Sequence, residues 1–127
     1  MRYVLDAGAY GALFRGDPRV LARVRRAERL YLPATVVGEI LAALRSVPSV
    51  ERHRRELELF LRSPLVECVP TTTATAERFA GIRAGVDAHD RWVAATALEL
   101  DAAVLSFTSG FGEVEGLVWA DPADGGS

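Results

Sequence analysis

The sequence predicts an α/β protein with a mostly parallel sheet and helices on both of its faces. Short apolar runs typical of buried strands alternate along the chain with longer segments of helical periodicity. The 127 residues, half of them hydrophobic and a quarter charged, are enough for one globular domain with its own core. No repeat or linker divides the chain, so we expect one domain over residues 1–120 and a disordered tail over 121–127.

The first predicted strand is the apolar run over residues 3–5, which ends at Asp6. In open α/β sheets ligands bind at the carboxyl edge of the strands, so Asp6 would lie at such an edge. A helical pattern follows and is interrupted near Gly16-Asp17-Pro18. A second strand over 30–33 then ends in a proline.

A clear helix is predicted over residues 35–45, where Thr35 can serve as its N-cap. Glu39 lies off the apolar stripe of this helix, and by itself it is typical of a solvated glutamate favoured by the helix dipole. Residues 50–61 then predict an amphipathic helix rich in arginine and glutamate. This segment is either an ordinary surface helix or an arm that binds a partner.

The second half of the chain predicts three more strands, over residues 65–69, 103–107 and 116–119. Between them lies a helix that opens at Asp90 and is apolar nearly all round, so it should be buried. Asp90 is either only an N-cap or a functional carboxylate on the buried face, where the cost of an unpaired charge favours a partner such as a metal ion. The neighbouring His89 is either a further ligand or an ordinary loop histidine.

The charge pattern is unusual, because all 15 cationic residues are arginine although the net charge is −2. Arginine suits bidentate contacts with phosphate, but solvated helix faces in a sequence with biased codon usage would look the same. The single cysteine, Cys68, excludes an internal disulfide and a cysteine-built zinc site, and we expect it to be buried. With no signal peptide and no apolar run long enough to cross a membrane, we expect a cytoplasmic protein.

Several common sites lack their motifs in this sequence. There is no Gly-x-Gly-x-x-Gly after the first strand, no phosphate-binding loop with a lysine and no Gly-x-Ser-x-Gly elbow. The remaining candidates are the carboxylates Asp6, Glu39 and Asp90, which a doubly wound sheet would bring to one edge. Clustered carboxylates repel each other unless a hard cation lies between them, and Mg²⁺ or Mn²⁺ held in this way can activate water against a phosphate.

The order of these motifs resembles the four signature segments of PIN domains. The segments are Val4-Leu5-Asp6-Ala7-Gly8-Ala9, Pro33-Ala34-Thr35-Val36-Val37-Gly38-Glu39, His89-Asp90-Arg91-Trp92-Val93-Ala94-Ala95-Thr96-Ala97 and Leu105-Ser106-Phe107-Thr108-Ser109-Gly110-Phe111. Among PIN domains they are most similar to the small VapC-type toxins of type II toxin–antitoxin pairs. The resemblance covers almost the whole chain, and the segment around Asp90 is its most specific part.

The resemblance implies a three-layer α/β/α fold with sheet order 3-2-1-4-5. It also implies a Mg²⁺- or Mn²⁺-dependent endoribonuclease that forms a homodimer and is inhibited by a cognate antitoxin. In that family pattern Asp6 and Asp90 hold the metal directly, and Glu39 completes the site directly or through water. An arginine-bearing surface near the cleft would hold the RNA phosphates.

The sequence also departs from the family pattern. Family members usually carry an aspartate where this chain has Thr108, often a second where it has Gly110, and a serine, threonine or asparagine in place of Gly8. Loss of one ligand is expected to cost about 10–100-fold or more in metal affinity. This is the range seen when residues that hydrogen-bond to metal ligands are replaced. Two functions therefore stay open: a ribonuclease toxin, or a catalytically degenerate PIN domain that binds RNA or protein.

Overall fold

A computed structural model of the protein describes residues 1–83 and 85–124. Its strands are β1 (Arg2–Leu5), β2 (Arg29–Pro33), β3 (Val66–Val69), β4 (Ala103–Leu105) and β5 (Trp119–Ala120). Its helices are α1 (Ala7–Phe14), α2 (Pro18–Arg25), α3 (Ala34–Leu44), α4 (Val50–Arg62), α5 (Thr73–Gly81) and α6 (Ala88–Leu100), with 3-10 turns over Ser109–Glu113 and Pro122–Asp124.

The five strands form one parallel sheet in the order β3-β2-β1-β4-β5, which confirms the predicted fold class and strand order. The chain first moves from β1 toward β3 and then returns past β1 to β4 and β5. Since crossovers between parallel strands are right-handed, α1–α4 and α5–α6 lie on opposite faces of the sheet. The direction in which successive strands are added to the sheet therefore reverses between β1 and β4. The carboxyl ends of these two strands define the crevice where such sheets bind ligands.

The core lies around β1, β2 and β4, whose apolar residues are covered from both faces. Val4, Leu5, Leu32 and Val104 have no exposed surface, as expected for central strands of a parallel sheet. The run Val93–Ala97 of α6 is also buried, and its alanines let the helix lie close to β1 and β4. Within the described residues, no helix has the length and apolarity needed to cross a membrane.

Two local predictions for single residues are wrong. Thr35 does not cap α3: the helix begins one residue earlier, at Ala34, with Pro33 before it, and the Thr35 side chain makes no cap bond. Cys68 is exposed rather than buried. It lies on β3, which is an edge strand, and an edge strand receives less cover from the helices than β1 or β4.

The predicted disorder of the tail is wrong for residues 121–124. Pro122 is buried in a short 3-10 turn, and the Arg23 guanidinium donates a 3.2 Å hydrogen bond to the carbonyl of Asp121. The turn packs against α2, which compensates for the polar composition that suggested disorder. Residues 125–127 lie outside the described part of the chain, and the domain boundary at residue 120 stays a prediction.

Candidate metal and nucleic-acid site

Asp6 lies at the carboxyl end of β1 and is also the N-cap of α1. One carboxylate oxygen, Oδ1, accepts a 2.9 Å hydrogen bond from the backbone N–H of Ala9. The other, Oδ2, accepts a 2.5 Å hydrogen bond from the hydroxyl of Ser106. Burial raises the pKa of Asp6, while these two hydrogen bonds act in the opposite direction. The carboxylate is therefore buried in a fixed orientation.

Ser106 is a site residue that the sequence reasoning did not select. It is fully buried directly after β4, and its hydroxyl, besides donating to Asp6, accepts a 2.9 Å hydrogen bond from the backbone N–H of Thr108. Its carbonyl accepts another from the indole N–H of Trp119, also at 2.9 Å. The available signal was a polar residue ending an apolar strand, the same pattern that singled out Asp6.

Asp90 is the third residue of α6, and the N-cap of this helix is Asp87. The Asp87 carboxylate accepts a 2.9 Å hydrogen bond from the backbone N–H of Asp90. The alternative that Asp90 serves only as an N-cap is therefore wrong, because a residue three positions earlier has that role. The Asp90 side chain, half-buried on α6, is left for another function.

The pKa of Asp90 is raised to about 6, chiefly by burial. The negative charges of Asp87, Asp6 and Glu39 raise it further, and His89 lowers it. The negative charges of Asp6 and Glu39 thus act on Asp90 in the same direction as burial does. Such repulsion is what a bound cation would relieve.

Glu39 lies on α3, which also contacts α6 although the two helices cover opposite faces of the sheet. Its Oε1 is 3.6 Å from Nδ1 of His89, which lies in the first turn of α6 and is exposed. The contact is an ion pair only when the imidazole is protonated. Thr35, one helical turn before Glu39, carries a buried hydroxyl for which the described residues supply no hydrogen-bond partner.

The three predicted acids are therefore brought to one edge of the sheet, although they do not form a closed cage. Among the described residues, no group of three or more histidine, cysteine, aspartate or glutamate side chains converges on one metal position. Magnesium commonly keeps several waters and is bound through one or two carboxylates. The carboxylates of Asp6 and Asp90 supply oxygen atoms of the kind that such binding uses.

The two positions where family members carry further aspartates differ from each other here. Thr108 is exposed and precedes a 3-10 turn without capping it through its side chain. Gly110 has no space for a side chain, because a Cβ there would lie 2.0 Å from the carbonyl oxygen of Gly85. At Gly8 a Cβ would be 3.7 Å from Oδ1 of Asp6, an ordinary contact, so that position tolerates a side chain.

Several of the 15 arginines form ion pairs within the protein. Arg19 pairs with Asp17 at 2.9 Å, and Arg29 pairs with Glu67 at 3.0 Å. Arg52, Arg54 and Arg55 are exposed on α4. The arginine pattern of the sequence thus partly reflects structural contacts rather than one phosphate-binding surface.

A separate cleft of about 1270 Å³ opens at the opposite edge of the sheet. Its lining includes Arg2, Ala103 and Val118, which lie at or before the amino ends of β1, β4 and β5. The carboxylates lie at the other ends of these strands, so this cleft does not belong to the candidate site.

Comparisons with known proteins agree with the fold described above. The sequence profile of the PIN domain matches residues 3–117, and a comparison with curated proteins gave no match. The fold is similar to VapBC-1 from nontypeable Haemophilus influenzae, at 19% identity and a TM-score of 0.80, covering 97% of this chain and 99% of that chain. It is similar to FitAcB from Neisseria gonorrhoeae, at 21% identity and a TM-score of 0.76, covering 95% and 98%.

A third similar structure is a toxin–antitoxin complex from Klebsiella pneumoniae, at 17% identity and a TM-score of 0.72, covering 91% of this chain and 95% of that chain. At these identities the likeness establishes the shared fold. Since the family profile spans nearly all the strands and helices described above, this chain belongs to the PIN domain family.

Proposed function

We propose that this protein is a metal-dependent endoribonuclease of the VapC type, the toxin of a toxin–antitoxin pair, and that it hydrolyses RNA phosphodiesters. The observation that carries the proposal is the position of two carboxylates: Asp6 directly follows β1 at the ligand-binding edge of the sheet, and Asp90 is half-buried in the first turn of α6 without capping that helix. Membership of the PIN family supports nuclease chemistry, and the fold shared with a toxin–antitoxin complex supports the toxin assignment.

In this proposal Asp6 and Asp90 hold Mg²⁺ or Mn²⁺, and Glu39 completes the site directly or through water. The bound cation would lower the pKa of a water molecule and neutralise charge on the phosphate under attack. The hydrogen bonds from the Ser106 hydroxyl and the Ala9 N–H hold the Asp6 carboxylate in one orientation. In this proposal Glu39 also helps to orient the attacking water, and His89, 3.6 Å from it, can carry a compensating positive charge when protonated.

We propose further that a cognate antitoxin inhibits the enzyme and that the toxin forms a homodimer. The fold shared with a toxin–antitoxin complex supports the antitoxin as a partner. The cytoplasmic location stays a prediction from the sequence.

The second candidate function is a catalytically degenerate PIN domain that binds RNA or protein. It is favoured by Thr108 and Gly110 at the usual aspartate positions and by the lack of a three-ligand cluster among the described residues. The same fold and the same partners would then serve binding without hydrolysis.

A metal titration distinguishes the two functions. Metal-stripped protein is titrated with Mn²⁺ in the presence of single-stranded RNA, and cleavage is followed on a gel. We expect Mn²⁺-dependent cleavage that disappears in Asp6→Asn, whose asparagine can still cap α1. Asp101→Asn is the control, since Asp101 lies at the far end of α6 in a left-handed conformation that asparagine tolerates. RNA binding without cleavage at any Mn²⁺ concentration would favour the binding module.

A further inference from the structure

Phe107 is a large aromatic residue left exposed directly after Ser106. It follows Ser106, which holds the Asp6 carboxylate, and 39% of its surface is accessible. Single exposed apolar residues are common on protein surfaces, so exposure alone has no functional meaning. The position of Phe107, one residue beyond the group that orients Asp6, is the first reason to assign it a role.

The second reason is a fixed cation beside the ring. The guanidinium carbon of Arg19 lies 5.1 Å from the centroid of the Phe107 ring, within the range of a cation–π contact. Asp17 holds this guanidinium with two hydrogen bonds, one from Nε at 3.2 Å and one from a terminal nitrogen at 2.9 Å. Arg19 is therefore positioned before any ligand binds, although half of it remains accessible.

The backbone on both sides of Phe107 is also held in place. The carbonyl of Ser106 accepts the indole N–H of Trp119, and the N–H of Thr108 is bonded to the Ser106 hydroxyl. An aromatic ring on a fixed backbone loses little conformational entropy when a flat ligand stacks on it. Phe107 thus combines exposure, rigidity and a neighbouring positive charge.

We propose that Phe107, flanked by Arg19, is a stacking platform for an unpaired base of the RNA substrate, next to the phosphate that the metal ion of the proposed site would contact. The inference rests on the proposed function and adds a specificity-determining subsite to it. Stacking on an aromatic side chain requires a base that is not paired in a duplex. The subsite therefore selects single-stranded RNA and is tolerant of base identity.

The test measures binding rather than cleavage. Every variant is made in the Asp6→Asn background, and a fluorescein-labelled 12-nucleotide oligouridine is titrated in Mn²⁺ by fluorescence anisotropy. We expect Phe107→Ala to bind about 5- to 150-fold more weakly, the range that corresponds to removal of an aromatic stacking partner. Phe107→Tyr should bind as the parent does, and Phe107→Leu as weakly as the alanine variant, because leucine keeps the bulk but has no aromatic face.

Phe14→Ala is the matched control, since Phe14 on α1 has nearly the same exposure and lies outside the proposed subsite. A second titration replaces single uridines with abasic nucleotides. At one position the replacement should weaken binding to the parent but cause no further loss in Phe107→Ala, because both changes remove the same stacking contact.

The outcomes separate this inference from the proposed function. If Phe107→Ala binds the oligouridine as tightly as the parent while the wild-type protein cleaves RNA, the stacking subsite is wrong and the ribonuclease assignment stands. Equal weakening by Phe14→Ala would also overturn the subsite, because the loss would not be specific to the edge of the site. If the parent binds no RNA and the wild type cleaves none, both proposals fall.

Discussion

The hydroxyl of Ser106 donates a hydrogen bond to the carboxylate of Asp6 across 100 positions of the sequence. The contact follows from strand register, because Leu5 of β1 pairs with Leu105 of β4 and the two polar residues come next on adjacent strands. Both residues follow the carboxyl ends of β1 and β4, the two adjacent strands between which the order of strand addition reverses. A polar residue at the end of each central strand thus builds the most buried part of the candidate site.

Replacement of Ser106 by alanine should weaken metal binding. The variant loses a hydrogen bond that lowers the pKa of Asp6, so burial would raise this pKa further and protonation would compete with the metal. We expect about 10- to 100-fold lower Mn²⁺ affinity in isothermal titration calorimetry, with a larger loss at pH 5.5 than at pH 8. Ser109→Ala, at an exposed serine nearby, is the control. Unchanged Mn²⁺ affinity of Ser106→Ala at both pH values would contradict this role.

The loop before α6 and the turn after β4 meet through two glycines. Gly85 has a positive φ of 97°, a conformation that glycine adopts without strain, and its carbonyl oxygen occupies the space that a side chain on Gly110 would need. An aspartate at position 110 is therefore incompatible with this approach of the two backbones. The departure from the family pattern at Gly110 has a structural cause, whereas Thr108 shows no such restriction.

An aspartate introduced at position 108 should strengthen the site, and one at position 110 should damage the fold. Thr108 is exposed beside Ser106, so Thr108→Asp adds a carboxylate there, and we expect about 10-fold or higher Mn²⁺ affinity. Thr108→Asn has the same shape without the charge and should show no gain in Mn²⁺ affinity.

Gly110→Asp should lose about 1–3 kcal/mol or more of stability in urea unfolding. A Gly110→Asp variant as stable as the wild type would show that the glycine contact is not required.

The sheet could be predicted because its central strands are continuous apolar runs. Residues 3–5 and 103–105 are covered on both faces, and a carboxylate or hydroxyl that ends such a run is visible in the sequence. Asp6 was found by this signal. Ser106 carries the same signal, but its importance depends on the pairing of β4 with β1, which brings it to Asp6. The sequence does not show that these two strands are adjacent.

Other details depend on contacts that local patterns do not specify. Asp87 and Asp90 are three residues apart, and either could cap a helix, so only the backbone geometry identifies Asp87 as the cap. The exposure of Cys68 follows from the edge position of β3 in the sheet. Pro122 is buried because the turn over 122–124 packs on α2, a contact between distant parts of the chain.

The stability of the metal-free protein should depend on pH through Asp90. Its pKa is raised from 3.8 to about 6, so the folded state binds more protons than the unfolded state between these values. Stability should therefore fall as the pH rises through this window and stay reduced above it. Asp90→Asn removes a charge that is disfavoured by burial and by the neighbouring acids, so in EDTA the variant should melt at a higher temperature than the wild type at pH 8 and at a similar temperature near pH 3.

Metal ions should have the opposite effect on the melting temperature of the wild type. Mn²⁺ at pH 8 should raise the melting temperature of the wild type, because it binds the folded state, and should have little effect on Asp90→Asn. The control is Asp101→Asn, which should follow the wild type throughout. A lower melting temperature of Asp90→Asn at pH 8 in EDTA would show that the Asp90 carboxylate stabilises the fold rather than straining it.

The arginine-rich helix α4 packs on the domain through Leu57. Replacement of Leu57 measures how much this packing contributes to the stability of the protein. Leu57 is buried and α4 packs against α3 and β3, which favours a surface helix over a free arm. We expect Leu57→Ala to lose about 2–5 kcal/mol in urea unfolding, since it leaves a cavity under the helix. Leu59→Ala should change stability by less than about 0.5 kcal/mol, because Leu59 is 59% exposed. Similar losses for the two variants would mean that α4 does not pack through the Leu57 face.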